Sequence, residues 1–120
     1  MSKLLFFPFL GFNADKLRKR LHGKTVLITG ASFGIGECLA ELLAPTNAHL
    51  LLVARTEEKL LDVKQKVEAR GGRADVFACD LTSPAEVDVL LKTLAQLPGG
   101  IDVVVNNAGK SIRRSIFESL

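Results

Sequence analysis

Three glycines fall within Thr29-Gly30-Ala31-Ser32-Phe33-Gly34-Ile35-Gly36, spaced G-x-x-x-G-x-G. Glycine reaches backbone conformations and close approaches that a Cβ forbids, which suits a tight turn wrapped against a bulky anion. Where such a turn opens a helix, the first N–H groups of the helix are free and carry partial positive charge. The two features together bind a pyrophosphate. Glycines also mark plain turns, so this reading requires a strand before the cluster and a helix after it.

Arg55, 19 residues after Gly36, is the second candidate. An NAD site usually places a carboxylate about 20 residues beyond the glycine turn to take the ribose hydroxyls. Here the corresponding residues are Ala54 and Arg55. A carboxylate would repel a 2′-phosphate, whereas a guanidinium binds it in a bidentate, charge-assisted fashion, which points to NADP in preference to NAD. Arg55 also fits a solvated loop position beside Glu57 and Glu58, and on sequence alone both readings stand.

Further chemistry is sparse. His22 and His49 are isolated, no hydroxyl–base pair suggests itself, and the chain contains no Tyr and no Trp. Cys38 and Cys79 have no C-x-x-C or metal-ligand spacing and read as separate, buried thiols of a reducing, cytoplasmic compartment. The sequence therefore offers no catalytic residue and no metal site.

The surrounding elements supply the context that the glycines require. Thr25–Thr29 is a β-branched apolar run, as in a strand buried on both faces, and Ile35, Leu39, Leu42 and Leu43 then recur on one helix face until Pro45. The alternation continues with strand 49–54, a helix capped by Thr56 with Leu60, Leu61, Val63 and Val67 inward, and strand 75–79. Ser83-Pro84-Ala85-Glu86 is a capping box that opens a third helix through Leu90, Leu91 and Leu94, and strand 101–105 follows. Strands separated by helical crossovers run parallel, so the fold class is α/β, a doubly wound parallel sheet of four strands with flanking helices. Such a domain is built from two halves, and the fourth strand opens the second half without finishing it. Taken alone, 101–105 would be an exposed, hydrophobic sheet edge.

With 120 residues, 48% of them hydrophobic, the chain is at most one domain. Its charge is uneven. Residues 1–24 carry six basic side chains against one acid, and residues 25–120 carry ten against twelve, a net of −2. A slightly acidic globular part argues against nucleic acid as partner. The leading segment, 1–23, places Phe6, Phe7, Phe9 and Phe12 ahead of Lys16-Leu17-Arg18-Lys19-Arg20. It is too short for a membrane span and is broken by Pro8. Two readings remain for residues 3–20: a peripheral contact of aromatics and cations with an anionic membrane surface, or a segment that packs on the domain.

Thr29-Gly30-Ala31-Ser32-Phe33-Gly34-Ile35-Gly36, Cys79-Asp80-Leu81-Thr82 and Asn106-Asn107-Ala108-Gly109 together resemble the ordered landmarks of the classical short-chain dehydrogenase/reductase family. The resemblance spans residues 24–109 and implies a Rossmann fold. It implies that Gly30, Ser32, Phe33, Gly34, Ile35, Gly36 and Arg55 line the cofactor, and that Asp80 meets the adenine amino group beside Leu81. Asn107, Ala108 and Gly109 would border the nicotinamide ribose, with the Asn pair stabilising the sheet. On the residues alone, Asp80 equally fits an acceptor for its own turn before Thr82, and the Asn pair a turn former. The family's catalytic Ser, Tyr and Lys lie beyond this landmark, so residues 24–120 read as the cofactor-binding part of a longer NADP-dependent oxidoreductase. Its substrate would be a carbonyl or alcohol; residues 110–115 resemble stretches of membrane-associated and fatty-acyl-processing members, which with the Phe-rich amino terminus implies a lipophilic acyl or steroid-like compound, while Arg113 and Arg114 equally fit a solvated helix face. The dimer-forming helices of the family would also fall in the remainder, so a homo-oligomer is expected only of the longer protein. The alternatives are an NADP(H)-binding module without catalysis and an inactive truncated product.

Overall fold

The computed structural model describes residues 3–4, 14–32 and 34–107. Its elements are β1 (Lys3–Leu4), α1 (Ala14–Leu21), β2 (Thr25–Thr29), α2 (Gly34–Leu43), β3 (His49–Ala54), α3 (Glu57–Ala69), β4 (Arg73–Ala78), α4 (Pro84–Ala95) and β5 (Val103–Asn106). A single 3-10 turn, Ala44–Thr46, follows α2 where Pro45 removes a backbone donor. The strands form one sheet in the order β1-β5-β2-β3-β4, with every pairing parallel. The α/β architecture is thus that of an incomplete Rossmann fold.

Strand alternation divides the core between the two faces of the sheet. Val26, Ile28, Leu50, Leu52, Val103 and Val105 pack with Leu39, Leu43, Leu60, Val63 and Val67 from α2 and α3. Leu27, Leu51, Val53 and Val104 point the other way and pack with Val87, Leu90 and Leu94 from α4. Because β2 and β3 are covered on both sides, their stretches Val26–Ile28 and Leu50–Ala54 are apolar without interruption. The carboxyl ends of β2, β3, β4 and β5 consequently lie side by side, which sets the position of the site.

Several local expectations need correction. The buried face of α2 is Gly36, Leu39, Ala40 and Leu43, while Ile35 is 57% and Leu42 40% exposed. Small residues let the helix approach the sheet closely, and a periodicity drawn through the largest side chains overlooks them. Cys38 lies on the outer side of the same helix and is exposed, whereas Cys79 is buried. Leu61 is likewise exposed on α3. Thr56 occupies the cap of α3 without a side-chain hydrogen bond. The third and fourth sequence strands shift to Arg73–Ala78 and Val103–Asn106. Val103 and Val104 are not at the open edge, because Lys3 and Leu4 pair with them in parallel.

Helix α1 exposes Arg18, Lys19 and Arg20, and it buries Leu21. The Phe-rich stretch that suggested a membrane contact lies outside the described residues. Among the described residues, no helix is long and apolar enough to cross a membrane.

Candidate functional site

The first βα turn is over-determined by short-range geometry. Gly30 and Gly34 have φ of +67° and +61°, in the left-handed region that a side chain disfavours. Gly36 needs its missing Cβ for a different reason: a Cβ there would stand 2.2 Å from the Gly30 carbonyl oxygen and 2.9 Å from Asn107 Nδ2. The helix therefore begins in direct contact with the turn that precedes it.

Residues far along the chain hold this turn from the side. The Thr29 hydroxyl donates to Asn106 Oδ1 at 2.8 Å and accepts the Asn107 backbone N–H at 3.0 Å. Asn107 Nδ2 donates to the Gly30 carbonyl at 3.3 Å, and the Ala31 N–H reaches the Val53 carbonyl at 3.2 Å. Thr29 is fully buried, so its hydroxyl requires these partners. Asn106 and Asn107 thus tie the end of β5 to the end of β2 and to the glycine turn.

A cavity of about 440 Å³ opens over these strand ends. It brings together the expected Gly30, Ser32, Arg55, Asp80, Leu81 and Asn107, and with them Thr56, Lys59 and Thr82. Gly34, Ile35 and Gly36 shape the turn behind the cavity and do not line it. Phe33, Ala108 and Gly109 lie outside the described residues. Thr29, Thr56, Lys59 and Thr82 are contributions that sequence reasoning missed. Lys59 carried one signal, since a cation in the first turn of α3 stands at the positive end of the helix dipole and fits best where an anion is expected.

Arg55, Thr56 and Lys59 are exposed at the cavity rim, and no ion pair among the described residues engages either cation. Asp80 is opposite in character. Its Oδ1 accepts the Thr82 hydroxyl at 2.6 Å and the Thr82 backbone N–H at 2.9 Å. Those two bonds, with the charge of Arg55 adding to them, hold its carboxyl below the ordinary carboxylate range. Burial, followed by the Glu86 and Asp80 carboxylates, pushes the Cys79 thiol up, which keeps it an un-ionised, small floor residue at neutral pH.

The arrangement fits a dinucleotide. The first turn of α2, with glycine at 34 and 36, adjoins a cavity lined by two cations, Arg55 and Lys59, and by the hydrogen-bonded Asp80 carboxylate. Binding and orientation are what these residues can do.

Comparison with known proteins agrees. The sequence pattern of the short chain dehydrogenase family matches residues 24–119, and the chain belongs to that family. It is similar to a fatty acyl-CoA reductase of Acinetobacter baylyi, 47% identical over 102 residues, which cover 85% of this chain and 35% of the relative. A metagenomic short-chain oxidoreductase solved in complex with NADP superposes with a TM-score of 0.70 at 39% identity, covering 75% of this chain and 41% of that one. An NADH-dependent reductase complexed with NAD gives 0.68 at 34% identity, covering 78% and 39%. The chain therefore spans about a third of the length of the curated relative it matches at 47% identity.

Proposed function

We propose that the chain is the cofactor-binding part of an NADP-dependent short-chain oxidoreductase that moves a hydride between the nicotinamide and a carbonyl or alcohol. The observation that supports the choice of NADP is that Arg55, directly after β3 where a carboxylate would serve NAD, lines the cavity together with Lys59. Two exposed cations and the Thr56 hydroxyl beside a helix start suit a 2′-phosphate and give a ribose diol little to bind.

The remaining residues take roles along the same ligand. Gly30 and Ser32 receive the pyrophosphate at the start of α2, with Gly34 and Gly36 allowing the close approach and Ile35 and Phe33 alongside. Asp80 and Leu81 take the adenine. Asn107, followed by Ala108 and Gly109, borders the nicotinamide ribose. The bound nicotinamide supplies or accepts the hydride, and this chain's residues hold it and exclude alternatives. Residues 24–120 form this binding unit, and the proton donor belongs to a Ser and a Tyr-x-x-x-Lys supplied by further sequence of a longer protein.

A lipophilic acyl substrate is supported by the similarity to a fatty acyl-CoA reductase. The test of the cofactor assignment is a pair of titrations with NADPH and NADH, read by ligand fluorescence. Tighter binding of NADPH is the expected result, and equal affinities would remove the NADP assignment. Binding followed by no turnover, in a longer protein that holds the downstream Tyr and Lys, would favour an NADP(H)-binding module instead.

A further inference from the structure

The turn that carries Asp80 is held by a bond that its helix cap does not need. Ser83 N donates to the Asp80 carbonyl at 2.9 Å and closes the four-residue turn. Ser83 Oγ accepts from Glu86 N at 3.4 Å, which is one half of a capping box. In the usual box the Glu side chain returns to the N–H of the capping residue. Here that N–H is already engaged by Asp80, and Glu86 Oε1 reaches past it to accept the backbone N–H of Asp80 itself, at 3.1 Å.

Two carboxylates thus converge on one short turn, an arrangement that like-charge repulsion disfavours unless each is satisfied by donors. Both are: Asp80 by Thr82, and Glu86 by Asp80 N–H. The preceding residue is fixed as well, through Cys79 N and the Ala54 carbonyl at 2.8 Å. Asp80 lines the cavity directly after that last strand bond, so the direction of its carboxylate depends on how its own N–H is held.

We propose that Glu86 is a positioning residue for the adenine end of the cofactor, acting through the Asp80 backbone N–H to set the Asp80 carboxylate. This rests on the reading of Asp80 as the partner of the adenine amino group. A Gln at 86 keeps an acceptor oxygen at the same reach, whereas an Ala leaves the Asp80 N–H to solvent. A residue that merely started α4 would change stability in both cases and leave the choice of base untouched.

The experiment measures binding of NADPH and of its hypoxanthine counterpart, in which an oxo group replaces the adenine amino group, to the whole chain. Wild type is expected to prefer the adenine form by about tenfold, the scale of one hydrogen bond to a charged group. Glu86→Ala should bring that preference below about threefold, and Glu86→Gln should keep it within about twofold of wild type. Should Glu86→Ala not fold, Glu86→Asp, which retains the charge but falls short of Asp80 N, is expected to show the same loss. A full preference in Glu86→Ala or Glu86→Asp would overturn the role of Glu86 alone. No preference in wild type would overturn the Asp80 reading, and the proposal with it.

Discussion

Two parts of the cavity's surroundings are built from different materials. The glycine turn and the strand ends β2 and β5 are made of backbone and buried polar groups, closed by Thr29, Asn106 and Asn107. The second part is made of exposed lining side chains, Arg55, Thr56 and Lys59, and no ion pair among the described residues engages Arg55 or Lys59. On the proposed reading the first part meets what every dinucleotide has, a pyrophosphate, and its close contacts tie it to the fold. On the same reading the second would meet what distinguishes one dinucleotide from another, and its exposed side chains leave the core untouched. Stability and the proposed specificity would thereby rest on different residues.

The largest expected effect breaks the first part. Gly36→Ala drives a Cβ to within 2.2 Å of the Gly30 carbonyl, a backbone atom that cannot swing away. It should destabilise the chain by about 3 kcal/mol in urea unfolding and abolish binding of NADPH and NADH alike. Thr29→Val keeps the shape and removes the hydroxyl, leaving the Asn107 N–H and Asn106 Oδ1 without that partner. A loss of about 1–3 kcal/mol of stability is expected, with both dinucleotides weakened by the same factor. A selective loss of NADPH in either variant would mean that the two parts are not independent.

Smaller effects sharpen the second part. Lys59→Ala should leave stability within about 0.5 kcal/mol and weaken NADPH by about 0.5–1 kcal/mol, less at high salt, with NADH unaffected. The smallest concerns pH. Asp80 has its carboxyl depressed in the folded state, so its contribution to stability is present above the unfolded value, about 3.9, and disappears as pH falls through the lower folded value. Unfolding curves of wild type and Thr82→Ala should therefore differ at neutral pH and converge in strong acid.

The same contrast explains how much was legible in the sequence. Runs such as His49–Ala54 announce a strand covered on both faces, and the glycine spacing announces its turn, because both are local patterns. Thr29 was hidden because its partners lie 77 and 78 residues away. Glu86 was readable as a cap, but not as a ligand of the Asp80 N–H, since only the fold shows that Ser83 N is already engaged. The inner face of α2 was misread because Gly36 and Ala40 carry no hydrophobic signal in proportion to their burial. The pairing of Lys3 and Leu4 with β5 involves two residues, too few for any periodicity to register.

The most direct test of the account is an equilibrium titration of NADPH and NADH against the chain and its Arg55→Ala variant. The account predicts that Arg55→Ala weakens NADPH by about 1–3 kcal/mol and leaves NADH within a factor of about two. Equal losses for the two dinucleotides, or wild type binding NADH more tightly than NADPH, would contradict it.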